Sequence, residues 1–222
     1  GFSIGAAVPC ARMGEDKALK KAWPGVVEAA NLIGSKQVQG RCTITGNMCN
    51  AGPAADSVPA MVAAGARAVI QGPKVKRTIP VEQVAVGPGK TSLKKGEIVE
   101  AILLPARPAR SGDAYLRFIP RSEMDIAVVS CGISLSLDAK GAIKEARVSL
   151  GAVAPTVLLV ADAAKAIIGT TLDDAALEKL GKACSAACRP IDDKRGTIEF
   201  RTKVAAVLAK RAAAIAYKRA GG

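Results

Sequence analysis

The sequence predicts an α+β protein, and three observations indicate its fold class, its core and its domain boundary. In the second half of the chain, short β-branched segments precede amphipathic helical patterns, an order typical of an α+β unit. Half of the 222 residues are hydrophobic but only 3% are aromatic, so the core must consist of Ala, Val, Ile and Leu. Residues 105–113 contain two prolines and a glycine without apolar periodicity, which predicts a domain boundary. We therefore predict domains at 1–104 and 115–222, joined by a linker at 105–114.

In the first half, strands and short helices alternate. Pro24 begins an apolar-periodic helix that Gly34 ends, because proline suits a first helical turn and glycine a helix terminus. Four β-rich segments predict strands, at residues 2–8, 66–70, 77–81 and 98–104. Since the first of these starts at once, we expect the natural chain to begin upstream of Gly1.

The second half predicts a three-stranded antiparallel sheet followed by helices. The predicted strands are residues 115–120, 125–137 and 143–153, and the last two are joined by a hairpin turn at 138–141. The predicted helices are residues 160–168, 172–188 and 200–220. Thr171, with Asp174 three residues later, predicts an approximate capping box for the middle helix.

Composition excludes several classes of chemistry. The chain has no histidine, which removes Ser–His and Cys–His nucleophile pairs and the usual zinc and iron ligand sets. Its six cysteines fit no tight metal-binding spacing, so we expect reduced, structural thiols and no metal site. They are Cys10, Cys42, Cys49, Cys131, Cys184 and Cys188.

The formal charge of +13 raises the possibility of nucleic-acid binding. The basic residues are spread along the chain, however, and aromatic residues for base stacking are nearly absent. Docking of acidic partner subunits is a second use of the same charge. No apolar run is long enough to span a membrane, and no secretion signal is visible, so we expect a cytoplasmic protein.

Residues 43–56 are the most informative stretch. Two Thr, two Asn, two Gly, one Pro and one Asp predict a polar loop, and Asp56 then serves as the N-cap of a short helix that ends at Gly65. A small-residue turn that runs into a helix suits phosphate or flavin contacts. An ordinary polar loop before a buried helix explains the same residues, and the residues alone leave both interpretations open. The stretch at 86–91 is not a P-loop, because Val84 occupies the position of its required first glycine.

The surrounding residues carry a resemblance to a known family. The segments "IGSKQV" at 33–38, "TI-GN" at 43–47 and "P-AD-VP" at 53–59 resemble the second flavin-binding segment of molybdenum hydroxylase flavoproteins. These are the medium subunits of the carbon monoxide dehydrogenase and xanthine dehydrogenase family. The sequence departs from the family at Cys42 and Thr45, where glycine is usual, and at Gly52, where serine is usual. A Cβ at Thr45 is expected to crowd the flavin and weaken its binding.

The resemblance extends over nearly the whole chain. "GPGKTSLKKGEI" at 87–98, "YLRF" at 115–118 and "RSEMDIA" at 121–127 are similar to further family signatures. The resemblance implies the second subdomain of a PCMH-type FAD-binding fold, followed by a domain like the C-terminal domain of CO dehydrogenase flavoproteins. The AGGTDLL-type loop of the family's first flavin subdomain does not occur in this sequence, and whether that subdomain is trimmed, disordered or supplied by another chain stays open at this point.

The resemblance also implies which residues contact FAD. Thr43 and Asn47 would offer hydrogen bonds, Asp56 an acceptor, and Arg117, where lysine is usual, a cation near the pyrimidine ring that favours the reduced anion. Apolar residues would surround the ring, and no catalytic residue or metal ligand is implied. The implied FAD-binding residues are Ile33, Gly34, Thr43, Thr45, Gly46, Asn47, Cys49, Asn50, Asp56, Ile98, Val99, Arg117, Met124 and Ile126.

The implied function is electron transfer. In the family, a large subunit hydroxylates substrate at molybdopterin, [2Fe-2S] clusters in a small subunit pass the electrons on, and FAD in the medium subunit delivers them to an external acceptor. The implied assembly is a dimer of heterotrimers, without nucleic acid or membrane. The alternative is a structural scaffold subunit of such a complex, with weak or no FAD binding.

Overall fold

A computed structural model describes all 222 residues of the chain. Its helices are α1 (Cys10–Glu15), α2 (Lys17–Ala22), α3 (Pro24–Ala30), α4 (Lys36–Gln39), α5 (Ile44–Cys49), α6 (Ser57–Ala63), α7 (Ala161–Ile167), α8 (Asp174–Ala187) and α9 (Ile198–Arg219). Its strands are β1 (Phe2–Gly5), β2 (Arg67–Gln71), β3 (Lys76–Pro80), β4 (Ala85–Gly87), β5 (Lys90–Thr91), β6 (Ile98–Leu104), β7 (Ser111–Phe118), β8 (Val129–Leu137), β9 (Ile143–Gly151) and β10 (Leu158–Leu159). None of these helices has the length and apolarity that a membrane span requires.

The first half is an antiparallel sheet covered by the short helices α1 to α6. The strand order is β1-β6-β2-β3, so the strand that comes last along the chain lies between the first and the second. The four predicted strands are all present, although β1 ends at Gly5 and is shorter than predicted. Helix α3 likewise ends at Ala30, before Gly34, which adopts a positive φ of 59° in the following turn.

The second half is an antiparallel sheet of order β10-β9-β8-β7, with α7 and α9 packed against it and α8 packed against these two helices. The three predicted strands are confirmed, and the two-residue strand β10 adds a fourth that the sequence did not predict. Strand β7 already begins at Ser111, inside the range that we assigned to the linker. The predicted capping box is wrong, because the side chain of Asp173, not Thr171, accepts a hydrogen bond from the amide of Ala176 at 2.8 Å and caps α8.

Helix α6 connects the two halves. All seven of its residues are buried, and Val58, Met61 and Val62 belong to the hydrophobic core of the first half. Its other side lies on the second sheet, where a Cβ added to Gly132 of β8 would be only 2.5 Å from the carbonyl oxygen of Pro59. Since only glycine permits this approach, α6 packs directly onto the backbone of β8.

Candidate functional site

The stretch predicted as a polar loop contains a helix. Thr43 adopts an extended conformation, and its Oγ1 accepts a hydrogen bond from the amide of Gly46 at 2.9 Å, which caps α5. Ile44 and Met48 are buried in the first core, whereas Gly46 is exposed. The prediction of a loop was wrong because Thr, Gly and Asn are typical of turns, while the cap and the two core contacts stabilise a helical turn here.

Asn47 performs the capping that the sequence assigned to Asp56. The Oδ1 atom of Asn47 accepts hydrogen bonds from the amide of Ser57 at 3.0 Å and from its hydroxyl at 2.7 Å. Asp56 occupies the N-cap position of α6 as predicted, but its side chain makes no capping bond. Asn47 thus joins α5 to the start of α6.

The carboxylate of Asp56 instead meets two residues of β7. Arg117 Nη1 donates to it at 2.8 Å, the hydroxyl of Tyr115 donates at 3.1 Å, and the Arg117 side chain is only 4% exposed. Burial raises the pKa of Asp56, while the charge and hydrogen bond of Arg117 act against that rise. Burial and the charge of Asp56 raise the pKa of Tyr115 well above its usual value, so this phenol stays protonated. The predicted cation at Arg117 is therefore held in a buried ion pair across the two halves.

Several predicted contact residues are apolar and exposed. Ile98 at the start of β6 is 64% exposed, Ile126 is 53% exposed, and Met124 lies between them in sequence at a turn with a positive φ of 56°. Val99 follows Ile98 in the strand and points the other way, into the first core. The flavin ring can contact the exposed apolar side chains of Ile98, Met124 and Ile126. Val99 is buried on the other face of the strand and cannot contact it.

The remaining predicted residues lie around α5 and before it. Cys49 is half-buried, and burial raises its pKa, whereas Asn50 is exposed. Thr45 is buried, and its hydroxyl has no hydrogen-bond partner. Ile33 packs against the first core, and its carbonyl accepts a bond from the Gln39 side chain at 3.2 Å.

A cavity of about 350 Å³ lies beside the loop that follows α5. Pro53 and Ala54 of this loop line it together with Pro88 and Ile126, and the amide of Gly89 donates to the carbonyl of Ala51 at 3.0 Å. Three stretches that are far apart in sequence, near 51–54, 87–90 and 126–127, thus meet at one place.

Sequence reasoning missed the opposite wall of the cavity. Arg189, Asp193 and Arg201, which come before and at the start of α9, contribute to it. Arg201 is buried and donates to Asp193 at 2.7 Å and to the carbonyl of Val128 at 2.7 Å. The two charged residues that pair here are eight positions apart in a loop-to-helix segment, and no pattern in that segment signals a binding site.

The residues present fit a flavin. A flavin needs an apolar surface for its ring and accessible backbone or polar groups for its ribityl and phosphate part. Ile98 and Ile126 are exposed apolar side chains of the first kind, and exposed Gly46 is an uncovered backbone position of the second kind. Of these three residues, only Ile126 lines the cavity.

Known proteins match this chain along its whole length. Residues 1–107 match the family model of the FAD binding domain in molybdopterin dehydrogenase, and residues 114–216 match that of the CO dehydrogenase flavoprotein C-terminal domain. The carbon monoxide dehydrogenase medium chain of Afipia carboxidovorans is 33% identical over 197 residues, which cover 89% of this chain and 68% of that protein. The xanthine dehydrogenase FAD-binding subunit of Escherichia coli O157:H7 is 29% identical over 220 residues, 99% of this chain and 75% of that one.

Solved structures agree with the sequence matches. The reconstituted CO dehydrogenase from Oligotropha carboxidovorans contains a chain that aligns with a TM-score of 0.93 at 31% identity, covering 98% of this chain and 75% of that one. Fold and site together define an FAD-binding subunit of an oxidoreductase complex, distinct from the molybdenum subunit. The chain belongs to the family of FAD-binding medium subunits of the carbon monoxide and xanthine dehydrogenases, and FAD is its cofactor.

Proposed function

We propose that this chain carries FAD in a cytoplasmic molybdenum hydroxylase and relays electrons from the [2Fe-2S] clusters of a small subunit to an external acceptor. A large molybdopterin subunit would select and hydroxylate the substrate, and the assembly would be a dimer of heterotrimers. The observation that carries the proposal is the meeting of the α5 loop, the turn at 87–90 and Ile126 around one cavity. Bound FAD supplies the chemistry of accepting electrons singly and releasing them in pairs.

The residues of this chain would bind the cofactor and tune its surroundings. Gly46 leaves the exposed side of α5 free of a Cβ, so a polar chain can approach its backbone. Ile98 and Ile126 would exclude water from the ring. The Arg117–Asp56 pair would influence the flavin without contacting it, because the two charges are already paired with each other and Asp56 also accepts a hydrogen bond from Tyr115.

The charge of the chain supports a role inside an assembly. The excess of 13 positive charges favours docking of acidic partner surfaces, because complementary charge speeds and orients association.

Gly46→Ala tests the proposed path of the cofactor. The added methyl would occupy the exposed side of α5, so we expect FAD affinity of the purified complex to fall about tenfold, equivalent to about 1.4 kcal/mol. The melting temperature should change little, because the higher helix propensity of alanine offsets the crowding of Thr43 Oγ1, which the added Cβ would approach to 3.2 Å. FAD titration followed by flavin fluorescence measures the affinity.

Gly40→Ala is the matched control, since Gly40 is also exposed, has a negative φ of −67° and caps the neighbouring helix α4. It should leave FAD affinity unchanged. Equal affinity in both variants would contradict the placement of FAD along α5.

The scaffold alternative rests on Thr45, which stands where the family has glycine. In the structure its side chain is buried, and the exposed neighbour is Gly46. We therefore expect Thr45→Gly to leave FAD affinity of the complex close to that of the wild type. A much tighter binding in the variant would favour a scaffold whose FAD site has been weakened.

A further inference from the structure

Cys10 and Cys42 lie side by side in the first half of the chain. The amide of Cys10, the first residue of α1, donates to the carbonyl of Cys42 at 2.9 Å. A direct backbone hydrogen bond of this kind places the two α-carbons within the range of about 4.4–6.8 Å that disulfides span. Both cysteines are free in the structure.

The two thiols differ in access. Cys10 is fully buried, whereas Cys42 is partly exposed. Burial, followed by the charge and the hydrogen bond of Cys42, raises the pKa of Cys10 to about 12. Cys10 therefore stays protonated, and the accessible partner is the one that can meet an oxidant.

The position of the pair connects it to the site. Cys42 directly precedes Thr43, whose hydroxyl caps α5, and Cys10 begins α1, which packs on α3. A covalent bond between them would fix the chain at the entrance to α5 to the body of the first half.

We propose that Cys10 and Cys42 form a reversible disulfide that responds to hydrogen peroxide and tethers the start of α5. The thiolate of Cys42 attacks one peroxide oxygen, the O–O bond breaks, and the departing hydroxide takes a proton to become water. The sulfur of Cys10 then attacks the sulfenic sulfur of Cys42, the S–O bond breaks, and a second water leaves with the proton of Cys10. Two thiols and one peroxide thus give one disulfide and two waters.

The remaining cysteines have no such geometry with an accessible partner. Cys49 is half-buried on α5, while Cys131, Cys184 and Cys188 are buried in the second core. Burial and the charge of Cys188 raise the pKa of Cys184 to about 12, and the Cys188 thiol donates to the Cys184 carbonyl at 3.2 Å. Peroxide should therefore form its first disulfide at the Cys10–Cys42 pair.

The test is mild peroxide treatment of the purified protein, followed by mass spectrometry without reduction. We expect the chain to lose the mass of two hydrogen atoms, and trypsin to yield a cross-link between the peptide that ends at Arg12 and the peptide 42–67. Dithiothreitol should reverse the change. Since peptide 42–67 also contains Cys49, the digestion is repeated on Cys49→Ser, which should retain the cross-link.

Cys10→Ser and Cys42→Ser should each abolish the cross-link. Oxidation should also raise the melting temperature of the wild type and of Cys49→Ser, but not that of Cys10→Ser. A cross-link between other cysteines, or none at all, would overturn the disulfide, and an unchanged melting temperature would overturn the tether. None of these measurements depends on FAD, so they are independent of the proposed function.

Discussion

Asp56 and Arg117 form an ion pair in the interior, 61 positions apart in sequence. Burying two charges is costly unless each is well paired, and here Tyr115 supplies an additional hydrogen bond to the carboxylate. At each of the two positions, the sequence suggested a separate role, as a helix cap for Asp56 and as a cation beside FAD for Arg117. In the structure the two side chains instead bind each other, in one cluster that joins the start of α6 to β7.

Asp56→Asn should strongly destabilise the fold. The amide keeps the size of the side chain but leaves the guanidinium of Arg117 buried without a counter-charge, which costs about 3–5 kcal/mol. Urea denaturation monitored by circular dichroism measures the loss. Glu199→Gln is the control, because its ion pair with Lys203 is exposed to solvent and should contribute far less to stability. Equal losses of unfolding free energy in the two variants would show that the buried ion pair contributes no more to stability than the exposed one.

At the level of elements, Glu97 joins β3 to the turn before β6. Arg77 of β3 donates to both carboxylate oxygens of Glu97 at 2.9 and 2.8 Å, and the amide of Lys94 donates to it at 2.7 Å. The hydrogen bonds of Arg77 and then of Lys94 lower the pKa of Glu97 from its usual 4.5 to about 2. This contact fixes the approach to Ile98, the first residue of β6.

Glu97→Gln should remove part of the acid sensitivity of the protein. Because the folded state lowers the pKa, Glu97 stabilises the fold above pH 4.5, and that contribution disappears as the pH falls towards about 2. The difference in melting temperature between wild type and variant should therefore shrink over this range. Glu199→Gln, whose ion pair is exposed, should show a smaller dependence. A constant difference from pH 5 to 2 would contradict this role of Glu97.

The sequence predicted most elements but not the contacts between them. Strand β6 and the strands β2 and β3 follow from local β-branched patterns, and the turn at 138–141 follows from its residue types. Asn47 rather than Asp56 caps the start of α6 because of where α5 packs, and α5 is in turn stabilised by the burial of Ile44 and Met48. Such long-range packing leaves no local trace, so the sequence did not predict these hydrogen bonds.

At the level of the whole molecule, the two halves share the buried helix α6. The first half contributes its core residues, and the second half contributes the backbone of β8 that lies against Pro59. The proposed boundary near residue 105 therefore separates two sheets, each with its own hydrophobic core, and the contact of α6 with β8 joins the two halves.

Gly132→Ala should weaken the contact between the halves. The added Cβ would lie 2.5 Å from the carbonyl oxygen of Pro59, so α6 and β8 must move apart, at a cost of about 1–3 kcal/mol. Urea denaturation of the full chain measures this cost. Gly5→Ala is the matched control in strand β1, since its Cβ would meet Val8 at an ordinary 3.8 Å and should cost less than about 1 kcal/mol. An unchanged urea midpoint for Gly132→Ala would show that α6 and β8 can move apart without a loss of stability.

The close approach at Gly132 also constrains recombination between relatives. A chimera that keeps residues 1–113 and takes its remaining residues from another medium subunit would place a foreign strand under α6. Unless its β8 offers glycine opposite Pro59 and its β7 offers a cation for Asp56, the hybrid would inherit both matched segments and still fail to assemble. Gene fusions and crossovers in this family should accordingly preserve the two residues together with the helix that they serve.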